Sequence, residues 1–387
     1  MFFRKGGIDI IKSFCLFCAN YLPNLGGVEM YVYNLSKALV KHGHKVTIVT
    51  SNVFDLENYE ILDGGVEIFR MPCYNIMRGR YPILKRDGVF KDLDKKLSAK
   101  HFDMVVINAR FYIHSIYAAK FACKNNIPCI TVEHGSSHLS VDNKILDLFG
   151  NMYEHGITAL LKKHCKDYYG VSETACEWSG HFGIKSKGTL YNAIDLEKVK
   201  KAEEKNICNY REILKIPENA TIISFTGRLL KIKGVYELLD AYKVLNREDI
   251  YLIYAGDGPE AEQLKNRASK NVSFLGRIDF EHVIALLKSS DIYCLPSVSE
   301  GMSTSVLEAI ATETFVITTY NGGAREVIIG DEYGIITRGN TVQEIKIAIE
   351  KAMDPDYRAS ATKKAYKRLE DGFTWEKTAE KLESLAK

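Results

Sequence analysis

Short apolar runs alternate with amphipathic stretches along most of this chain, and this alternation is the strongest constraint on its fold. Runs such as Met104–Asn108 and Ile292–Leu295 have the length and composition of buried strands. Intervening stretches such as residues 28–41 carry apolar residues at helical spacing. Two separate sets of such units are present, so we predict an α/β protein with two parallel-sheet domains.

The predicted domain boundary lies where apolar residues become rare. Residues 197–209 are highly charged, and the βα alternation resumes after them. We assign residues 1–195 to the first domain and 196–372 to the second, and we place a last amphipathic helix, Trp375–Leu385, within residues 373–387. A chain of 387 residues is long enough for each domain to bury its own core.

Charge and hydropathy exclude two classes of protein. The chain has 52 basic and 49 acidic residues, and this near balance argues against a dedicated nucleic-acid-binding protein. No uninterrupted apolar run approaches the length of a membrane span, and Asp9 and Lys12 interrupt the apolar stretch near the N-terminus. We therefore expect a cytoplasmic protein, with peripheral membrane contact as the remaining possibility.

The nine cysteines are an odd number without regular spacing, which indicates free thiols in a reducing compartment. Cys15 and Cys18 form a C-x-x-C pattern that a redox or zinc site could use. No second cysteine pair is nearby, and residues 10–17 resemble a buried strand. We interpret both cysteines as core residues.

Residues 73–100 are locally basic and less regular, with aromatic residues interleaved. The cations are Arg78, Arg80, Lys85, Arg86, Lys91, Lys95, Lys96 and Lys100. Two interpretations stay open. In the first, the segment contacts an anionic membrane surface or a lipid diphosphate. In the second, it is a solvated helix face.

Glu300 and Glu308 flank the start of a predicted helix. Glu300 lies in a turn after the strand Ile292–Leu295, at the sheet edge where open α/β folds bind ligands, and Glu308 lies just over a turn into the helix. Free amides at a helix start suit phosphate, whereas carboxylates accept hydrogen bonds from neighbouring hydroxyl groups. The pattern favours a nucleotide-sugar site, and two ordinary solvated acids are the alternative.

Cations and glycines at other strand ends fit the same kind of ligand. Arg228 and Lys233 follow the predicted strand 221–225, where an arginine fork and a lysine charge can bind phosphate. Solvated cations are the alternative. Gly26 and Gly27 precede the first predicted helix, where they would admit a phosphate or simply allow a tight turn.

Two further patterns resemble cofactor sites, and we assign no cofactor to either. His134 and His138 follow the predicted strand 127–132, but the sequence offers no clear third metal ligand, so we predict no metal site. Residues 255–261 superficially match a dinucleotide fingerprint. Their acidic residues would repel a pyrophosphate, and Pro259 lacks an amide proton.

Several of these motifs together resemble one known family. The string from Ser299-Glu300-Gly301-Met302 to Val306-Leu307-Glu308-Ala309 resembles the paired-glutamate signature of the retaining glycosyltransferases of the GT-B fold, in particular glycosyltransferase family 4. Other segments are similar to that family as well: Gly26-Gly27-Val28-Glu29, Gly227-Arg228-Leu229 with Lys233-Gly234, Leu275-Gly276-Arg277-Ile278 and Asn321-Gly322-Gly323. Tyr191-Asn192-Ala193-Ile194-Asp195 is also similar, with Ala193 where glycine is usual.

The resemblance implies two Rossmann-like domains facing a central cleft, the first mainly for acceptor and the second mainly for donor. It also implies that the C-terminal helix in residues 373–387 packs back on the first domain. It implies that Arg228 and Lys233 hold the donor diphosphate, Glu300 the sugar hydroxyls and Glu308 the ribose diol. The residues that it places around the rest of the donor are Gly26, Gly27, His134, Arg277, Ile278, Gly301, Met302, Ser303 and Thr304. Of these, His134 would position the sugar or the acceptor, and Arg277 and Ile278 would meet the base.

The activity implied by the resemblance is transfer of a hexose-type sugar from a nucleoside diphosphate, with UDP favoured, to an acceptor hydroxyl with retention of configuration. Neither a metal nor another cofactor is implied. By analogy the setting is bacterial surface polysaccharide biosynthesis, such as lipopolysaccharide or capsule assembly, with a carbohydrate acceptor on a lipid carrier. A nucleotide-sugar epimerase or phosphorylase on the same fold and a non-catalytic sugar-nucleotide binding protein remain alternatives.

Overall fold

The structure, a computed structural model, describes residues 11–24, 26–62, 64–76, 79–138, 144–320 and 323–386, with the backbone alone at residues 144 and 145. Its contacts divide the chain into two compact units. Unit 1 consists of Met1–Val171, Ala175–Leu190 and Thr378–Lys387, and unit 2 of Ser172–Thr174 and Tyr191–Lys377. Some residues with sequence-based predictions lie outside the described part of the chain. They are Asp9, the start of the first predicted strand, Arg78, Asn321 and Gly322.

Unit 1 is an α/β unit around a mostly parallel sheet. Its strands are β1 Ser13–Cys18, β2 Lys45–Ser51, β3 Tyr59–Ile61, β4 Glu67–Met71, β5 Cys73–Ile76, β6 Tyr81–Leu84, β7 Met104–Asn108, β8 Cys129–Glu133 and β9 Asp167–Gly170. Its helices are α1 Gly27–Lys41, α2 Gly88–Ser98, α3 Ile113–Lys124, α4 Lys144–Leu161 and α5 Glu173–Gly180, of which α5 begins in the short unit 2 segment. The sheet order is β3-β4-β2-β1-β7-β8-β9, and β5 and β6 form a separate hairpin.

The central strands of unit 1 follow from their composition. Every residue of β7 is buried, as expected for a parallel strand covered on both faces by helices. Cys15 and Cys18 lie in β1, and both are buried and free, in agreement with their interpretation as core residues. The edge strand β3 is antiparallel to β4, and the remaining pairs of this sheet are parallel.

Residues 73–100 are more regular than the sequence indicated, and the helix face of the second interpretation is present. The segment contains the β5–β6 hairpin and helix α2. Asp87 caps this helix by accepting a hydrogen bond from the amide of Phe90 at 3.0 Å. Phe90, Leu93 and Leu97 share one buried helix face, which leaves the lysines of α2 on the solvent side.

Unit 2 repeats the alternation. Its strands are β10 Thr221–Thr226, β11 Ile250–Ala255, β12 Val272–Gly276, β13 Ile292–Leu295, β14 Phe315–Thr319 and β15 Ile335–Thr337. Its helices are α6 Leu196–Lys205, α7 Tyr210–Ile213, α8 Val235–Leu245, α9 Ala261–Arg267, α10 Phe280–Lys288, α11 Thr304–Ala311, α12 Val342–Lys351, α13 Pro355–Gly372 and α14 Trp375–Leu385, and the residues of α14 from Thr378 onward belong to unit 1. Two short 3₁₀ turns are Lys231–Lys233 and Gly323–Glu326.

The order of strands marks one place in each sheet where a ligand is expected. The unit 2 sheet is fully parallel in the order β12-β11-β10-β13-β14-β15. Its connections run in opposite directions from β10 and β13, which are paired neighbours. In unit 1 the corresponding neighbours are β1 and β7. Ligands of open α/β sheets bind outside the carboxyl ends of such strands.

The two sheets and the helices around them confirm the predicted two-domain α/β fold with parallel sheets.

Candidate functional site

The predicted phosphate-binding cations and Glu300 lie at the switch point of unit 2, which is the carboxyl end of the neighbouring strands β10 and β13. Arg228 follows β10, and Lys233 ends the 3₁₀ turn after it. Glu300 follows β13. Because β10 and β13 are paired, residues far apart in sequence meet at this sheet edge. Lys233 donates a hydrogen bond from Nζ to Oε1 of Glu300.

Close backbone packing holds the Lys231–Lys233 turn against the end of β13. Gly234 has φ of +72°, and a Cβ atom there would lie 2.1 Å from the carbonyl oxygen of Pro296. The amide of Val298 and the hydroxyl of Ser297 both donate to the carbonyl of Ile232, at 2.9 and 3.0 Å. The position of Lys233 beside Glu300 is thus fixed by the backbone of both loops.

The Lys233–Glu300 ion pair is partly shielded from water. The side chains are 25% and 16% exposed, respectively. The exposed side chain of Arg228 makes no hydrogen bond or ion pair with any residue that the structure describes. The edge therefore offers one guanidinium without a partner and one ammonium whose partner is a carboxylate. Both cations are of the type that binds phosphate.

The loop that follows Glu300 is held through its carbonyl groups. Asn192 donates from Nδ2 to the carbonyl of Met302 at 2.9 Å, and the amide of Gly323 donates to the carbonyl of Gly301 at 2.8 Å. Helix α11 starts at Thr304, with Ser303 as a cap residue whose side chain does not bond the helix amides. The amides at this helix start are thus not used by the cap, as a site for anionic groups requires.

Glu308 differs from the ionised acid assumed from the sequence. Its side chain is half-buried in α11. Burial raises its pKa, the positive charge of Lys198 lowers it by a smaller amount, and the resulting pKa is about 7. Protonated and ionised forms therefore coexist at neutral pH. Both forms can accept a hydrogen bond, but only the ionised form offers two acceptor oxygens without a proton.

The glycines of residues 255–261 have a packing function. A Cβ atom at Gly256 would lie 1.8 Å from the carbonyl oxygen of Gly227, and one at Gly258 would lie 2.3 Å from that of Leu229. The amide of Leu229 donates to the carbonyl of Asp257 at 3.0 Å. These glycines let this loop pack against the one that carries Arg228.

The predicted base-binding loop lies at the same sheet edge. Arg277 and Ile278 follow β12, after Gly276 with φ of +68°. Arg277 is exposed, whereas Ile278 packs against a buried cluster of unit 2. The exposed Arg277 side chain and the backbone of the loop are thus available to a ligand there.

In unit 1, a buried acid lies where the sequence predicted a phosphate. Gly26 precedes α1 with extended backbone geometry, and a Cβ atom there would lie 2.3 Å from Oε2 of Glu29. Asn24 donates to the other oxygen of Glu29 at 2.9 Å, and burial raises the pKa of this glutamate. Gly26 therefore leaves room for the carboxylate of Glu29 at the helix start, whereas a Cβ atom at Gly27 would meet no atom within 4 Å.

Glu29 also lines a polar cavity of about 200 Å³ at the β1/β7 switch point of unit 1. Asn20, Asn24, Arg80 and Tyr112 are among its other lining residues. The cavity thus combines hydrogen-bond acceptors, donors and one cation. Sequence reasoning missed it because its residues come from four separate segments.

His134 is a neutral ring with a defined tautomer. Asn108 donates from Nδ2 to the carbonyl of Phe17 at 3.1 Å, so its Oδ1 faces Nε2 of His134, also at 3.1 Å. Nε2 must therefore be the donor, which leaves a lone pair on Nδ1. Burial lowers the pKa of His134 to about 3, and the ring stays neutral through the physiological range.

Comparisons with known proteins identify the family. The family model described as Glycosyltransferase Family 4 matches residues 25–198, and that described as Glycosyl transferases group 1 matches residues 206–368. The chain belongs to glycosyltransferase family 4. The family resemblance derived from the paired glutamates is therefore confirmed, and the protein is a glycosyltransferase of the GT-B type.

Individual relatives match this chain over 88–97% of its length. An uncharacterised glycosyltransferase of Methanocaldococcus jannaschii is 28% identical over 96% of this chain and 97% of its own length. The GPI3 subunit of phosphatidylinositol N-acetylglucosaminyltransferase of Saccharomyces cerevisiae is 25% identical over 88% of this chain and 75% of its own. The Anabaena protein HepE, solved in complex with UDP-glucose, shares the fold with a TM-score of 0.71 at 15% identity, over 97% of this chain and 99% of that chain.

Among the described residues, no helix has both the length and the apolar character needed to cross a membrane.

Proposed function

We propose that this glycosyltransferase transfers a hexose-type sugar from a UDP-sugar to an acceptor hydroxyl, with retention of anomeric configuration. The observation that carries the proposal is the ion pair of Lys233 and Glu300 at the switch point of unit 2, at the sheet edge where Arg228 follows β10. Two cations suit the diphosphate, and the carboxylate beside them suits sugar hydroxyls. A site for a simple nucleotide would not need that carboxylate.

The proposed reaction breaks the bond between the anomeric carbon and the diphosphate oxygen. The acceptor oxygen forms the new bond on the same face, and the leaving phosphate takes the acceptor proton, so the chain needs no general base. Arg228 and Lys233 stabilise the negative charge that develops on the leaving group. In this proposal they do so without a metal ion or another cofactor.

Two further observations support a nucleotide-sugar donor. Glu308 lies one helix turn beyond the loop of Glu300 and could accept both ribose hydroxyls in its ionised form. The Anabaena relative with the same fold was solved with UDP-glucose, which favours UDP as the nucleotide here. We further propose that Arg277 and Ile278 contact the base through their backbone.

The decisive experiment follows the donor. The full chain is incubated with UDP-, GDP- and ADP-sugars in the presence of EDTA, and nucleoside diphosphate release and sugar identity are measured. Transfer releases nucleoside diphosphate, epimerisation changes the sugar while the nucleotide stays attached, and a binding protein does neither. A phosphorylase requires inorganic phosphate.

A variant pair tests the site. Glu300→Ala should lose most turnover while the fold is retained, and Glu262→Ala, an exposed acid of unit 2, should not. Arg228→Ala should abolish the thermal stabilisation by UDP, whereas exposed Lys231→Ala should retain it. Near-normal turnover of Glu300→Ala would show that the donor does not bind at this sheet edge.

We also propose that unit 1 contacts an anionic membrane carrying a lipid-linked acceptor, as in surface polysaccharide assembly. The β5–β6 hairpin exposes Tyr74 and Ile76 close in sequence to exposed Arg80, Lys85 and Arg86. Apolar and cationic groups together favour binding to a membrane surface. Replacing the three cations with Gln should reduce sedimentation with phosphatidylglycerol vesicles, and unchanged sedimentation would contradict the proposal.

A further inference from the structure

Three histidines from separate elements of unit 1 come together. His138 follows β8, His155 lies in α4, and His181 follows α5. One ring nitrogen from each lies within 4.8 Å of the others. His134, which the sequence had paired with His138, instead contacts Asn108. His138 therefore has two histidine neighbours that the sequence did not reveal, because they come from distant segments.

The spacing of the rings fits a metal ion. Nε2 of His138 and Nε2 of His181 are 3.2 Å apart. Two nitrogen ligands on one tetrahedral zinc ion, each at about 2.0–2.1 Å, lie roughly 3.3 Å from each other. Without a metal, one of the two nitrogens must carry a proton to avoid facing lone pairs.

The surroundings orient two of the rings. Oε2 of Glu154 lies 3.2 Å from Nδ1 of His138, so a proton on Nδ1 leaves the Nε2 lone pair directed at His181. Trp178 stacks on His181 at 4.9 Å with an interplanar angle of 5°. A carboxylate on the far nitrogen of a ligating histidine is the usual arrangement in metal sites.

Glu154 is itself held in place by a buried ion-pair cluster. Arg110 lies 2.9 Å from Glu154 and 2.7 Å from Glu133, and all three side chains are at most 4% exposed. One cation thus faces two carboxylates, of which Glu154 also contacts His138. A cation bound by the rings would face an acid-rich cluster.

We propose that His138, His155 and His181 form a binding site for a first-row divalent transition metal, represented by Zn²⁺, with Glu154 as the residue that positions His138. Three imidazoles leave a fourth position open to water. All three histidines belong to unit 1, and none of them is among the residues that we assign to the donor. The site would link β8, α4 and α5 within unit 1.

The test uses the full chain without an affinity tag, stripped with EDTA, dialysed, and titrated with ZnCl₂ by calorimetry. We expect one Zn²⁺ per chain and a rise in the thermal midpoint. His155→Ala and His181→Ala remove exposed ligands and should each weaken binding by at least about 100-fold. Glu154→Gln should weaken it by about 10-fold through loss of orientation.

His101→Ala is the matched control, since its side chain is 84% exposed and lies elsewhere on unit 1. It should bind Zn²⁺ like the unmodified chain. Circular dichroism without metal checks that the ligand variants remain folded. Absence of saturable Zn²⁺ binding by the unmodified chain would overturn the proposal. So would folded His155→Ala and His181→Ala variants that bind Zn²⁺ as tightly as the unmodified chain. Neither result would bear on release of nucleoside diphosphate, which is measured in EDTA.

Discussion

Glu300→Gln should bind UDP more tightly than the unmodified chain, although it should turn over the UDP-sugar much more slowly. In the structure Lys233 pairs with Glu300, so in the proposed binding mode a diphosphate replaces this carboxylate as the partner of Lys233. UDP alone offers Glu300 no sugar hydroxyls in return. Removing the carboxylate charge therefore frees Lys233 for UDP but deprives the donor sugar of its acceptor group.

The size of the effect follows from the exposure of the pair. Exposed ion pairs contribute about 0.2–1 kcal/mol, and side chains that are 25% and 16% exposed place this pair at the upper end of that range. About 1 kcal/mol corresponds to a roughly fivefold lower Kd for UDP. The effect should diminish at high salt, because the ion pair is not fully buried.

Isothermal titration of four proteins measures the coupling. These are the unmodified chain, Glu300→Gln, Lys233→Met and the double variant, each titrated with UDP in EDTA. Lys233→Met should weaken UDP binding, and adding Glu300→Gln to it should bring no further gain. An unchanged or weaker affinity in Glu300→Gln would refute the exchange of partners, as would an equal gain in the Lys233→Met background.

Three other changes probe the same sheet edge. Glu308→Gln should raise the thermal midpoint at pH 8 but have little effect near pH 5. The pKa of Glu308 in the folded chain, about 7, exceeds the ordinary value of 4.5. The stability that Glu308 contributes is therefore present below pH 4.5 and lost as the pH rises through 7. Gly234→Ala should lower the free energy of unfolding in urea by more than about 1 kcal/mol, because its φ is +72° and its Cβ would meet Pro296. Asn192→Ala should cost about 1–3 kcal/mol in the same assay and reduce turnover, since the buried carbonyl of Met302 loses its donor.

The sequence predicted the central strands because full burial leaves a clear mark on composition. Met104–Asn108 and Ile292–Leu295 were predicted residue for residue, and both are wholly buried. Edge elements carry no such mark. Tyr59–Ile61 is a three-residue strand with two exposed residues, so neither periodicity nor apolar content distinguishes it from a loop.

The candidate site shows the same division between local and non-local information. Each sequence motif placed its own residue at a strand end, which is a local property. The contact between Lys233 and Glu300 depends on β10 lying next to β13, an order that no local pattern encodes. The histidines at 138, 155 and 181 were missed for the same reason, because three elements must fold before their rings meet.

The environment of each group also changes what its residue type implies. Glu308 and Glu29 are both carboxylates near helix starts, and the sequence alone would treat them as ionised. Burial raises the pKa of both, and at Gly26 the acid takes the place assigned to a phosphate. Phosphate contact at α1 would therefore require Glu29 to move or to be protonated. In unit 2 the competition is weaker, because Arg228 is exposed and the Lys233–Glu300 pair is not fully buried, so Lys233 can exchange one anionic partner for another.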